Sequence, residues 1–305
     1  MNLTFSREKI IKNGCLLLMS IVLLTGCSAD GSTSGASAAE GKLEEAEPYF
    51  GLEFPSRTVT RFAPKIFKNE MHSSPIFMPD GREVYWSLMH EPRGVRCMKI
   101  ENGFWTEPAP ASFDRVKQGD SPFISSDGKH LLYLGRSISG DEVIRQVDRE
   151  NDEWGSPRTL PDQVNQNGAH WQASLADNGN LYFGSEGHIF FSKFENGSYL
   201  TAEELDLNDG VENGYVGSPF ISPDESYLIY DVAGRSYADL YIAFREGDGD
   251  WGEPVPLEAI NSDAHDLYAN VSPDGRFIMF LSSRSGILLP YWVDAGIIED
   301  YRPSK

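Results

Sequence analysis

From Tyr49 onward the chain alternates short apolar, aromatic-rich runs with clusters of Pro, Asp, Asn and Gly, and no stretch carries the 3.6-residue apolar periodicity of a long helix. One phrase recurs ahead of the apolar runs. It reads Ser74-Pro75-Ile76-Phe77-Met78-Pro79-Asp80-Gly81, then Ser121-Pro122-Phe123-Ile124-Ser125-Ser126-Asp127-Gly128, with a worn copy at Gln172-Ala173-Ser174-Leu175-Ala176-Asp177-Asn178-Gly179. Two more copies are Ser218-Pro219-Phe220-Ile221-Ser222-Pro223-Asp224-Glu225 and Asn270-Val271-Ser272-Pro273-Asp274-Gly275. The closing positions 81, 128, 179, 225 and 275 lie 46 to 51 residues apart, which is a repeat period. Behind each phrase comes a strand-forming run: Val84-Tyr85-Trp86, Leu131-Leu132-Tyr133, Leu181-Tyr182-Phe183, Leu228-Ile229-Tyr230 and Phe277-Ile278-Met279-Phe280. Pro-Asp-Gly between two apolar runs predicts a tight antiparallel turn, because Pro presets φ, Asp hydrogen-bonds the backbone ahead and Gly accepts positive φ.

A second phrase is interleaved at the same period: Asn102-Gly103-Phe104-Trp105-Thr106-Glu107-Pro108, Asn151-Asp152-Glu153-Trp154-Gly155-Ser156-Pro157 and Gly249-Asp250-Trp251-Gly252-Glu253-Pro254, with Asn196-Gly197-Ser198-Tyr199 as a variant. These predict a hairpin between a third and a fourth strand, with Trp or Tyr packing where the last strand starts. Pro just beyond is tolerated if that strand is an edge. Each repeat is then four antiparallel strands, the unit of a β-propeller blade. Five copies predict five blades; six would require a further, unrecognised copy. Fourth-strand segments are expected near 108–113, 157–160, 201–207 and 254–260, one short of five, and the last repeat ends at Tyr291-Trp292-Val293. Residues 58–64 are expected to supply the missing strand and close the ring, leaving no exposed edge.

The Ser-Pro-x-Phe-Ser-Pro-Asp-Gly phrase, its Tyr- and Phe-rich strands and its Gly-x-Trp-x-x-Pro hairpins resemble the WD40-like propeller repeat of the TolB type, across residues 49–301. The resemblance implies an all-β fold, a single propeller of four-stranded antiparallel blades, and specifies no chemistry. Only a tether is expected before the propeller, where TolB carries an additional domain. No hydrolase domain of the prolyl-oligopeptidase or tricorn kind is expected after it.

Ahead of the repeats, Arg7, Lys9 and Lys12 precede an apolar stretch at 15–24, about half the ~20 residues that a membrane span needs, so it reads as a secretion signal. Leu24-Thr25-Gly26-Cys27 resembles the bacterial lipobox. That resemblance implies cleavage after residue 26 and a Cys27 carrying diacylglycerol and an N-acyl chain such as palmitate. At ~0.8 kcal/mol per buried CH₂, several chains anchor stably where one does not. Residues 1–26 are then signal, 27–48 an acylated, flexible tether rich in Ser, Gly, Ala and Glu, and 49–305 the propeller. The expected location is the cell envelope, facing periplasm or cell surface. Ser28, which is not Asp, favours the outer membrane if the cell is Gram-negative.

Charge narrows the partners. The chain carries 26 basic and 46 acidic residues, a net charge of −20, and loss of Arg7, Lys9, Lys12 and Glu8 with the signal leaves −22. So acidic a surface repels phosphate backbones, which argues against nucleic acid. Cys15 leaves with the signal and Cys27 is acylated, so Cys97 has no partner and reads as a small buried strand residue.

Propeller geometry places the Pro-Asp-Gly turns on one face. The starts of the inner strands lie on the other: His72, Asp120, His170 with Trp171, and Asp266 with Tyr268. The loops after the second strands add Arg136, Arg235 and Arg284. These nine side chains are the candidate lining of a central funnel, with Arg forks for carboxylates and aromatic faces for sugars. Repeat Arg and Asp residues in such propellers commonly bond between adjacent blades instead. No Gly-x-Ser-x-Gly, His-Glu-x-x-His or phosphate loop is present, and no catalytic residue, cofactor or metal is expected. The expected function is a non-catalytic binding or scaffolding module for a protein or carbohydrate partner, held at the membrane through Cys27. The alternative is a polysaccharide lyase or glycoside hydrolase using the funnel His, Asp and Arg residues. Replacing Cys27 by Ser is expected to release the folded protein from the membrane fraction; membrane retention after a salt wash would overturn the lipoprotein reading.

Overall fold

In the computed structural model the phrase glycines Gly81, Gly128, Gly179 and Gly275 take φ of 67°, 70°, 87° and 71°, and Glu225, the one non-glycine in that slot, is also left-handed at 58°. Each donates its N–H back three residues, as Gly81 does to Met78 at 2.8 Å and Gly275 to Ser272 at 2.7 Å. The Asp in front caps the turn: Asp80, Asp127, Asp224 and Asp274 accept from the N–H two residues on. The described residues are 46–90, 93–166, 168, 170–207, 215–234, 236–247 and 249–303. The signal, Cys27 and Arg235 lie outside them.

Five antiparallel blades form a propeller ring. Blade one runs Ile76–Phe77, Glu83–Ser87, Val95–Glu101 and Ala109–Pro110; blade two Asp120–Ile124, His130–Arg136, Glu142–Glu150 and Arg158–Thr159. Blade three is His170–Leu175, Leu181–Ser185, His188–Ser192 and Glu203–Glu204; blade four Tyr215–Ile221, Tyr227–Ala233, Ala238–Phe244 and Val255–Pro256. Blade five takes Asp266–Val271, Phe277–Ser282 and Leu289–Asp294 from the C-terminal end and Thr60–Arg61 from the N-terminal end. One detail differs from the expected hairpins. Trp105 and Trp154 sit in short strands, Phe104–Trp105 and Glu153–Trp154, folded back on the third strand, before the fourth strand proper. Pro108 and Pro157 follow, and lacking an N–H they interrupt the ladder there.

Closure matches the strand count. Thr60 and Arg61 pair with Trp292 and Tyr291, and the ladder is extended by Phe62 N–H to Pro290 O at 2.9 Å and Asp294 N–H to Ser56 O at 3.0 Å. Phe62 is fully buried, its ring 4.9 Å from Trp292 and 5.6 Å from Phe67. Tyr49, Met71, Trp86, Phe277 and Met279 complete this cluster between the last blade and the first.

The inner strands share an irregularity. Register shifts fall between Asp120 and Phe123, Trp171 and Ala173, Gly217 and Phe220, and Leu267 and Asn270. In three of the four shifts one residue is left-handed: Ser121, Ser218 and Tyr268 take φ of 44°, 47° and 53°. Truncation to Phe67 is expected to bare the edge of the last blade and cause aggregation, whereas truncation to Glu47 is expected to leave the melting temperature unchanged; equal melts for the two would overturn the closing-strand account.

Candidate functional site

The channel is closed in its middle by side chains reaching the carbonyls of other blades. Ser74 Oγ donates to Tyr268 O at 2.6 Å and Ser174 Oγ to Pro219 O at 2.9 Å, while Gln172 Nε2 lies 3.3 Å from Ala269 O and 3.4 Å from Pro219 O. Above this plug, at the starts of the inner strands, side chains of all five blades meet.

Blade one brings His72, whose Nδ1 lies 2.6 Å from Asp120 Oδ2 of blade two. Asp120 is fixed from behind: Ser87 Oγ donates to Oδ1, and so does its neighbour Ser121 N–H at 2.8 Å, while Ser73 Oγ accepts the Ser87 N–H. Burial works to raise the Asp120 pKa; the His72 contact, the Ser87 hydroxyl and the Ser121 N–H outweigh it and hold the carboxyl below its usual range. Arg93 approaches the same carboxylate at 3.9 Å.

The rings of His72, Trp171, Tyr215 and Tyr268 form a continuous wall. His72 lies 5.6 Å from Tyr268 and 6.5 Å from Trp171, and Trp171 meets Tyr215 edge-on at 5.7 Å. Tyr215 is 37% exposed and lies on Gly187, where a Cβ would come within 2.8 Å of its ring. Two carboxyls complete the mouth. Half-buried Glu142 accepts the His170 N–H at 3.2 Å, and burial, reinforced by the Asp120 charge, raises its pKa against Arg136. Asp231 is buried beneath, near the Tyr268 N–H at 3.4 Å. Neither carboxyl was singled out in the sequence, although Asp231 is the lone acid inside the apolar run 228–232.

The remaining expected residues fall elsewhere. Asp266 has no exposed side-chain surface; Arg284 Nη2 lies 2.7 Å from its Oδ1, and Ser262 donates N–H and Oγ to Oδ2, both at 2.7 Å. Arg284 also donates to Ile260 O at 2.6 Å and covers the Tyr291 ring, so this pair ties the last blade's loops together. Arg136 is exposed at the rim and donates to Gly140 O. His170 is 2% exposed and lies edge-on to Phe183 at 5.4 Å. Among the described residues no three His, Cys, Asp or Glu side chains are grouped for a metal ion.

His170 and Asp231 titrate in opposite senses. Burial lowers the His170 pKa to about 4, so the folded state holds it neutral. Its contribution, about 3 kcal/mol, is fully present above the unfolded value near pH 6.5 and is lost as pH falls toward 4. Burial raises the Asp231 pKa to about 6, against the Ser218 and Tyr268 hydrogen bonds. The folded state therefore favours the protonated carboxyl, and that contribution, present at low pH, is lost as pH rises through about 6. In the native protein the two slopes offset between pH 4 and 6. Asp231→Asn is expected to expose the histidine slope, so that its melting temperature drops more steeply than the parent's from pH 6.5 to 4. His170→Leu is expected to do the reverse, and parallel melting profiles for all three proteins would overturn both assignments.

No family model matches the sequence, and no curated protein does. Solved structures match the fold. A putative TolB from Agrobacterium tumefaciens superposes with a TM-score of 0.53 at 15% identity, over 74% of this chain and 77% of that one. TolB from Acinetobacter baumannii does so with a TM-score of 0.48 at 17% identity, over 73% of this chain and 51% of its own. The chain is a five-bladed β-propeller of TolB-like fold.

Proposed function

We propose that this protein is a lipid-anchored, extracytoplasmic binding module that holds a protein or carbohydrate partner at the channel mouth without transforming it. One observation carries the reading: side chains of all five blades meet at a single mouth, with His72, Trp171 and Tyr215 as ring faces, the buried Tyr268 packed behind His72 and Asp120 as a prepositioned acceptor. Rings on a rigid strand scaffold lose little conformational entropy on contact, and few polar groups are needed to fix orientation. The acidic balance of the chain is locally moderated by Arg93 and Arg136 at this rim. The TolB-like fold is itself compatible with a binding or scaffolding platform.

A second reading rests on one contact. Asp120, anchored by Ser87 and Ser121, holds His72 through Nδ1, which leaves Nε2 for a ligand. A carboxylate-oriented imidazole is the arrangement of a general base, and would serve a polysaccharide lyase or hydrolase.

Trp171→Ala and Tyr215→Ala, measured by calorimetry on a ligand found from a glycan or envelope-protein array, are expected to weaken binding at least about tenfold with little change in melting temperature. Unaltered affinity would remove the mouth as the site. In the same samples, reducing ends or unsaturated sugars that form with the parent protein and vanish in His72→Ala would replace the binding reading with the catalytic one.

A further inference from the structure

Two junctions between neighbouring blades are tied by the same hook, and the junction between blades two and three is built differently. Between blades one and two, Arg149 grips Glu83 with two nitrogens, at 3.0 and 2.6 Å, and lies over Trp154, whose Nε1 donates to Tyr85 OH at 2.7 Å. Between blades three and four, Arg245 lies over Trp251 and donates to Tyr182 OH at 2.8 Å, and Tyr182 OH donates to Glu225 at 2.5 Å. In both hooks the arginine is the cross-strand partner of the tryptophan. Blade three carries Phe194 opposite Tyr199 at that register, and blade two carries His130 where blade one has Glu83. No ion pair can form between those residues. A cleft of about 470 Å³ lies there, within the ~300–1,000 Å³ of small-ligand sites.

Its two walls differ in chemistry. On the blade-three side Phe194 is 38% exposed, with Tyr199 5.0 Å away at 58°. The Phe194 ring is seated on Gly179, where a Cβ would approach it to 2.9 Å, so its outer face is held toward the cleft. On the blade-two side His130, Gln146 and Arg158 converge on Asp148: His130 Nδ1 at 2.7 Å, Gln146 Nε2 at 2.6 Å and Arg158 Nε at 3.7 Å. One carboxylate set against one guanidinium makes this wall neutral overall in a strongly acidic protein. A fixed aromatic wall facing a charge-balanced hydrogen-bonding wall suits an uncharged ligand with one apolar face and many hydroxyls.

We propose that the cleft between blades two and three binds a neutral saccharide ring, its apolar face on Phe194 and Tyr199 and its hydroxyls toward Gln146, His130 and Arg158. The site is separate from the channel mouth and does not rest on the function proposed for it. Titration calorimetry of the full-length chain with β-1,4-glucan, β-1,3-glucan, xylan, mannan and α-1,4-glucan hexasaccharides, and with hexagalacturonate, tests it. At least one neutral hexasaccharide is expected to bind, and Phe194→Ala and the exposed Arg158→Ala are each expected to weaken it at least about tenfold, while Trp171→Ala at the mouth leaves it unchanged. Reading the two cleft variants side by side keeps the test intact if one of them folds poorly. The proposal is overturned if no neutral hexasaccharide binds, if both cleft variants retain full affinity, if Trp171→Ala abolishes binding, or if hexagalacturonate binds tighter than every neutral probe.

Discussion

The fold depends on a short stretch of ladder in which the two ends of the chain meet. Blades one to four are each built from one continuous segment; blade five is completed by Thr60 and Arg61 laid beside Tyr291 and Trp292. Few hydrogen bonds are involved, but they cover an edge that would otherwise template pairing with another molecule. They also carry Phe62 into a cluster that neither end can build alone. Because the partners are separated by most of the chain, this contact carries a large loop-closure entropy and is satisfied only when the other blades are in place.

Within the ring, equivalent positions are put to different uses by their neighbours. His72, His170 and Asp266 occupy the same slot at the start of an inner strand. His72 faces Asp120 and a wall of rings; His170 is sealed against Phe183; Asp266 is held by Arg284 and Ser262. The backbone places all three alike. What differs is the loop from the adjacent strands, and that decides whether a polar side chain at the slot is a contact for a ligand or a tie within the scaffold.

This accounts for what could be read from the sequence. Strand order, the Pro-Asp-Gly turns and the count of five blades were legible because turn chemistry is local and was written five times. The closing strand followed from arithmetic on fourth strands. The slots of the funnel were legible too, since strand polarity assigns them to one face. Their partners were not. That Arg284 reaches Asp266 and Ile260 depends on how a loop folds back, and that Ser87 fixes Asp120 depends on a contact between blades. Glu142 and Asp231 escaped notice because neither lies in a repeated phrase, and an isolated acid in a strand has no period to betray it.

The closing ladder also gives the molecule a mechanical polarity. A pull applied to the N-terminal side first peels residues 46–49 from Gly103, Trp105 and Gly81 of blade one and is then delivered to Thr60 and Arg61, where the Ser56 carbonyl, Phe62 and the Arg57–Asp300 ion pair share the load. The opposite end of the closing blade offers no such latch, because Leu289–Asp294 is clamped between two neighbours. Tension would therefore open the ring at one seam first, baring the flank of the last blade while four blades stay intact.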